Sequence, residues 1–233
     1  MYEQRLRESL PRVEDRIAAA LARSGRAGAI QIVAVTKGHP VTAVSAAVRA
    51  GLRAIGENRV HELEAKRGEY GPDEMQPEWH LIGHLQRNKV RRALRLFDCL
   101  HSLDSLRLAR ELSAEAQRSQ LQVRALVQVN VSGEATKGGF DMGQAMAEIA
   151  EVVALPGLTV AGLMTMAPLT EDETVLRATF GGARVLLDRC VAEGVPFAGR
   201  ELSMGMSGDF EVAIEEGSTI LRLGTVLFGE RAR

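Results

Sequence analysis

Eight short, apolar, mostly β-branched segments punctuate the chain, at 31–36, 52–56, 79–83, 99–101, 123–131, 158–164, 197–203 and 220–223. The stretches between them, at 41–50, 59–67, 87–96, 104–118, 142–154, 173–192 and 210–215, repeat their apolar residues every three to four positions, the period of an amphipathic helix. A strand, a helix and a second strand of the same sheet require a right-handed crossover, and eight such units in succession close naturally into a (β/α)8 barrel of the TIM type. An open, doubly wound parallel sheet is the alternative this spacing leaves. The first segment, QIVAVT, is nearly continuous in its apolarity, as a strand covered by helices on both faces must be. Ahead of it, Leu6, Leu10, Val13, Ile17 and Leu21 mark an extra N-terminal helix, which Pro11 is expected to kink or restart. Every strand except the last is expected to be followed by a helix.

One domain, 1–233, accounts for the whole sequence, because barrels of this kind occupy about 200 to 250 residues and no Ser/Gly/Pro-rich linker divides it. A net charge of −1 with 25% charged residues shows no excess of either sign, so neither nucleic acid nor a membrane surface is an expected partner. The basic run Arg87, Lys89, Arg91, Arg92 and Arg95 carries no aromatic residue for stacking and reads as a solvated helix face. The first twenty residues interrupt their arginines with Glu3, Glu8, Glu14 and Asp15 and lead into no apolar region, unlike a secretory leader or a transit peptide. Cys99 and Cys190 show no CxxC spacing, so no disulfide framework or zinc cage is expected, and the reducing cytoplasm fits best. His80 and His84 lie near the third strand, but neither a recognised helix nor a set of carboxylates and cysteines completes a coordination sphere, so no metal is expected.

Lys37 stands directly after the first strand and before Gly38, His39 and Pro40, which places an amine at the C-terminal mouth of the barrel. Partial desolvation would lower such an amine from about 10.4 and ready it to condense with a carbonyl. On this residue alone, a lysine that snorkels at a strand end or pairs with a carboxylate is the commoner case. At the end of the last strand, Arg222-Leu223-Gly224-Thr225 supplies a glycine that lets backbone approach a ligand, together with a hydroxyl. The preceding loop, Ser203 to Asp209, adds two hydroxyls and two glycines ahead of a helical stretch. Loops after the final two strands of a barrel commonly hold a phosphate, although each glycine alone is a turn former and Arg222 alone a salt-bridge partner. Asn58 either touches a ligand or caps the helix expected at Arg59. Glu57 would hold a neighbouring residue, and Asn130 brings a further polar side chain towards the same rim.

With these residues in view, the chain resembles the pyridoxal phosphate (PLP) homeostasis proteins, also known as the proline synthetase co-transcribed homologue family. The matching stretches are IVAVTKGHP around Lys37, IGENRVHE from Ile55, WHLIGHLQRNK from Trp79, NVSGEATKGGF from Asn130, GLMTMAP from Gly162, ELSMGMSGDFEVAI from Glu201 and GSTILRLGTVLFGER from Gly217. The resemblance implies a fold-type III barrel similar to the N-terminal domain of alanine racemase, with PLP carried as a Schiff base on Lys37. It further implies that Ser207, Gly224 and Thr225 bind the phosphate and that Arg222 lies beside the pyridine nitrogen or reaches the phosphate. Asn58 and Met204 complete the implied cofactor site.

No catalytic residue is expected. Racemisation needs a second acid or base on the opposite face of the substrate, which the racemase draws from a further domain that is not expected here. Tyr2 and Tyr70 sit in no motif that would place them over the cofactor. The expected activity is that of a monomeric carrier and buffer that hands PLP to PLP-dependent apo-enzymes. A small racemase-like enzyme using His84, and a cofactor-free aldolase forming Schiff bases through Lys37, are the competing readings. Lys137 and Lys89 are the alternative points of attachment.

Overall fold

The computed structural model describes residues 1–72, 74–134 and 137–230. The chain forms, in order, α1 (Tyr2–Ser24), β1 (Gln31–Val35), α2 (Val41–Arg49), β2 (Ala54–Glu57), α3 (Val60–Glu69) and β3 (Glu78–Leu81). A single 3-10 turn over Arg87–Lys89 leads into α4 (Val90–Ala93), then β4 (Cys99–Leu103), α5 (Leu106–Ser119), β5 (Val123–Asn130), β6 (Phe140–Asp141) and α6 (Ala145–Val153). The remainder is β7 (Leu158–Met164), α7 (Glu173–Ala192), β8 (Glu201–Ser203), α8 (Phe210–Glu215), β9 (Ile220–Leu223) and α9 (Thr225–Phe228).

Every strand pairing is parallel, in the order β4-β3-β2-β1-β9-β8-β7-β5, and a β4–β5 pairing closes the ring. The open sheet is thereby excluded: the fold is the eight-staved barrel. Two short elements were not expected. β6 pairs with the end of β5, Val129 opposite Phe140, outside the ring. A one-turn helix, α9, follows the last stave. The segment 197–203 contributes only three strand residues, and 87–96 divides into the 3-10 turn and α4.

Pro11 does not restart the first helix as a second segment: α1 runs through it. Its missing N–H removes one backbone bond on the exposed side, where Arg7 and Pro11 both face solvent. The stripe Leu6, Leu10, Val13, Ile17 and Ala20 stays buried on the opposite face, against α2, α8 and α9. Gly25, at φ 65°, ends the helix in the left-handed conformation that favours glycine. No helix among the described residues is long and apolar enough to cross a membrane.

The larger hydrophobic core lies between staves and helices, where Ile55, Leu81, Leu100, Leu163 and Leu221 point outward. Inside the barrel the apolar set is smaller: Val33, Ala54, Cys99, Leu126, Ala161, Met164 and Ile220. His80, His101, Ser203 and Arg222 are buried as well.

Candidate functional site

A cavity of about 1210 Å³ opens at the C-terminal ends of the staves, and each of the eight contributes to its wall. Lys37 comes after β1, Asn58 after β2, His84 after β3 and Asp104 after β4, while Gln128 lies at the end of β5. Residues 166–171 follow β7, 206–209 follow β8, and Gly224 and Thr225 follow β9. The amine and the glycine-rich loops therefore share one cavity at one end of the barrel.

Both neighbours of Lys37 are clamped. The Thr36 hydroxyl donates to Glu57 at 2.5 Å, and Lys66 Nζ donates to the Thr36 carbonyl at 2.7 Å and to Glu57 at 2.6 Å. On the other side, the Gly38 amide donates to Glu62 at 2.5 Å, and Glu62 also receives Lys66 at 3.0 Å. Gly38 adopts φ 74°, which turns the chain immediately after Lys37. Burial pushes the Glu57 carboxyl up, with Lys66 and Thr36 pulling against it. Burial also acts upward on Glu62, but the Gly38 amide and Lys66 outweigh it and hold that carboxyl low. Glu57 thus holds a neighbouring residue, as expected; Lys66 and Glu62 carried no sequence signal because only the folded α3 brings them to the β1 turn.

On the far wall, Ser207 Oγ accepts the Val226 amide at 3.2 Å and so ties the loop after β8 to α9. Gly205 adopts φ 96°, and a Cβ there would lie 2.7 Å from Ala213 Cβ, so the loop requires glycine at that point. A Cβ on Gly224 would come 3.2 Å from the Val35 carbonyl, which brings this wall against the strand that precedes Lys37. Asp209 accepts the Met206 amide at 2.6 Å; burial pushes its carboxyl up, against the pull of that amide and of Arg222.

Arg222 reaches the cavity from β9 and is only 4% exposed. Its guanidinium donates to the Ser203 carbonyl and hydroxyl, each at 2.7 Å, and to the Thr165 carbonyl at 3.0 Å. Among the described residues no carboxylate lies within ion-pairing distance of it. Burial lowers it to about 10, opposed by Asp209. An enclosed cation without an ion-pair partner, beside an open cavity, suits an anionic or lone-pair-bearing ligand.

Asn58 faces the cavity and does not cap α3, whose N-cap is Arg59 without a side-chain bond. Met204 lies fully buried in the core under the cradle and does not line the cavity; Met206, two residues on, does. Asn130 stays outside the lining and folds its own loop, donating to the carbonyls of Glu134 and Lys137. Lys137 lines the cavity, whereas Lys89 is exposed on the 3-10 turn. Tyr2 bonds His39 at 3.1 Å and Tyr70 packs against Trp79, so neither tyrosine reaches the cavity wall. His84 does reach it, held by Asp104 at 2.7 Å.

The histidine that meets His80 is His101, not His84. With Cys99 these two offer three possible ligand atoms within 4.8 Å of one another. His80 Nδ1 and His101 Nε2 lie 2.7 Å apart and share a hydrogen bond. Burial keeps the Cys99 thiol at about 12.

This barrel, with a lysine after the first stave and a glycine-rich cradle after the last two, matches the family described as alanine racemase, N-terminal domain, over residues 9–232. Within that class the chain belongs to the pyridoxal phosphate homeostasis proteins. It is 41% identical to the one from Aquifex aeolicus, over 96% of this chain and 97% of that one, and 38% identical to the one from Escherichia coli, over 96% and 95%. Among solved structures, PipY of Synechococcus elongatus with PLP bound is 38% identical and superposes with a TM-score of 0.81, over 91% of this chain and all of that one. A Bifidobacterium adolescentis protein is 39% identical with a TM-score of 0.91, over 97% of this chain and 96% of that one. Clostridium difficile alanine racemase, at 16% identity, shares the fold with a TM-score of 0.78, over 99% of this chain and 58% of its own.

Proposed function

We propose that the protein binds PLP covalently through Lys37 and serves as a reversible carrier of the cofactor, without turning over a substrate. The observation that carries this reading is the meeting, in one cavity, of Lys37, a glycine-lined cradle and a buried arginine with no ion-pair partner among the described residues. Bound PLP supplies an aldehyde that an amine captures and releases, together with an electron-withdrawing ring. Lys37 provides that amine; Ser207, Gly224 and Thr225 form the phosphate cradle. Arg222 would lie beside the pyridine nitrogen or reach the phosphate, and Asn58 would complete the cofactor site. Met204 acts from beneath, by packing under the cradle.

Arginine is a permanent cation at neutral pH, so beside the ring nitrogen it disfavours protonation there and weakens the electron sink that amino-acid chemistry needs. That choice of residue, with no tyrosine on the wall, favours holding over catalysis. Incubation of the loaded protein with amino acids is expected to give no α-proton exchange; sustained turnover would overturn the carrier reading and favour the enzymatic one, in which His84, oriented by Asp104, is the candidate acid or base. Lys37→Ala is expected to abolish the absorbance of covalently bound PLP. Transfer to a PLP-dependent apo-enzyme, followed as regained activity of the recipient, tests the carrier role itself.

A further inference from the structure

Among the described residues no carboxylate pairs with Arg222, but it is not isolated: its Ser203 contact opens a file of polar groups through the barrel. Ser203 Oγ lies 2.9 Å from His101 Nδ1, and His101 Nε2 lies 2.7 Å from His80 Nδ1. His80 Nε2 makes no well-aligned hydrogen bond but faces Glu78 at 3.4 Å. Ser203, His101 and His80 are each 0% exposed. Glu78 opens β3, at the end of the barrel opposite the cavity, where Arg124 bridges it to Glu201.

Donor and acceptor chemistry gives the file one direction. An arginine only donates, so Ser203 Oγ accepts from Arg222 and turns its single proton to His101 Nδ1. His101 must then carry its proton on Nε2 and donate to His80 Nδ1, and His80 must carry its own on Nε2, towards the Glu78 carboxylate. The reverse order would set a bare His80 nitrogen against a carboxylate and leave the Ser203 proton without an acceptor in the file. A charged imidazole at His101 is opposed first by burial and then by His80, Arg222 and Arg124, which hold it well below the ordinary histidine value. The charged or titratable groups around the pair are Glu78, Cys99, Arg124, Glu201 and Arg222, from β3, β4, β5, β8 and β9.

We propose that His101 and His80 are positioning residues for Arg222: through Ser203 they anchor the guanidinium to the far end of the barrel, and the fixed tautomer of His101 keeps its position and its field on the cofactor ring constant where a solvated histidine would titrate. Of the file, Arg222 alone lines the cavity, and the histidines would act on the cofactor through it.

Two measurements test this, and only the second presupposes PLP binding. In the protein without cofactor, nitrogen NMR of the imidazoles is expected to show His101 neutral and protonated on Nε2 from about pH 5 to 8, the range in which ordinary histidines change charge. A proton on Nδ1 of His101, or an imidazolium there, would overturn the proposal. In the PLP-loaded protein, His101→Phe fills the site without nitrogens, whereas His101→Gln restores an acceptor towards Ser203 and a donor towards His80. The Phe variant is expected to weaken PLP about tenfold, as loss of a hydrogen bond serving a charged group does, and to shift the pH titration of the bound chromophore by about 0.5 or more; the Gln variant is expected to restore both. Should the Phe variant fail to fold by circular dichroism, Ser203→Ala cuts the first link and is expected to shift the titration in the same direction. Titrations that superimpose on the parent's, or a Gln variant as impaired as the Phe variant, would overturn the proposal. A parent that takes up no PLP would sink the cofactor reading, and the His101 tautomer would then decide the file.

Discussion

Lys37 sits between two residues clamped from α3, and the clamp turns on one buried lysine. Lys66 bonds the Thr36 carbonyl, Glu57 Oε1 and Glu62 at once, and Glu57 Oε2 has no hydrogen-bond partner among the described residues. Removing the lysine leaves a buried carboxylate without its counter-charge, which costs about 3–5 kcal/mol in comparable buried pairs. Lys66→Met is therefore expected to lower the urea unfolding midpoint by that measure and to loosen the turn that carries Lys37. A midpoint within about 0.5 kcal/mol of the parent, the range of ordinary surface changes, would show that the clamp is dispensable. This residue was invisible in the sequence, because a lysine in an amphipathic helix has the pattern of a solvated one. Lys37, Arg222, Gly224 and Thr225 were legible because the strand pattern itself fixes which end of the barrel they occupy. Met204 entered the expected site through the family resemblance; it lies buried in the core, while Met206 lines the cavity.

At the scale of elements, close approach decides which glycines matter. A Cβ on Gly83 would sit 2.2 Å from the Asn58 carbonyl, so Gly83→Ala must move the segment after β2 that lines the cavity. The expected result is a loss of about 1–3 kcal/mol, the range for overpacking, together with weaker PLP binding. Gly68 lies inside α3 with nothing within 4 Å of the built Cβ, so Gly68→Ala is expected to stabilise by about 0.5–1 kcal/mol through helix propensity and the unfolded chain. Chemical denaturation of both variants checks the pair; equal effects would mean that local crowding is not what separates them. The long staves and helices were readable from their periods. The elements missed, β6 and α9, are two and four residues long, too short to show a period, and Pro11 does not divide α1 because it lies on the exposed face, where a lost backbone bond leaves a carbonyl open to solvent.

Across the whole molecule, the barrel is two environments in one. Outside the staves the core is mostly apolar, interrupted by the Thr36–Glu57–Lys66 clamp; inside, a polar file crosses from Glu78 to Arg222 among a few apolar side chains. Strand periodicity shows that alternate residues face inward, but not which imidazole meets which, so the pairing of His80 with His101 had to come from the fold. The file has a consequence for stability. His101 stays neutral in the folded state, while the unfolded chain takes up a proton on it below about 6.5, so the unfolded state binds more protons there in acid. Stability is expected to fall as pH drops below about 6.5 and to be unaffected by this group above it; in His101→Gln that acid slope should flatten, as read from unfolding midpoints at several pH values.

The attachment of PLP is tested most directly by mass spectrometry of the protein loaded with the cofactor, reduced with borohydride and digested. The expected product is a single phosphopyridoxyl group on the peptide that contains Lys37, lost in Lys37→Ala. A modified peptide containing Lys137 or Lys89 instead, or no modified peptide at all, would contradict the account of this cavity.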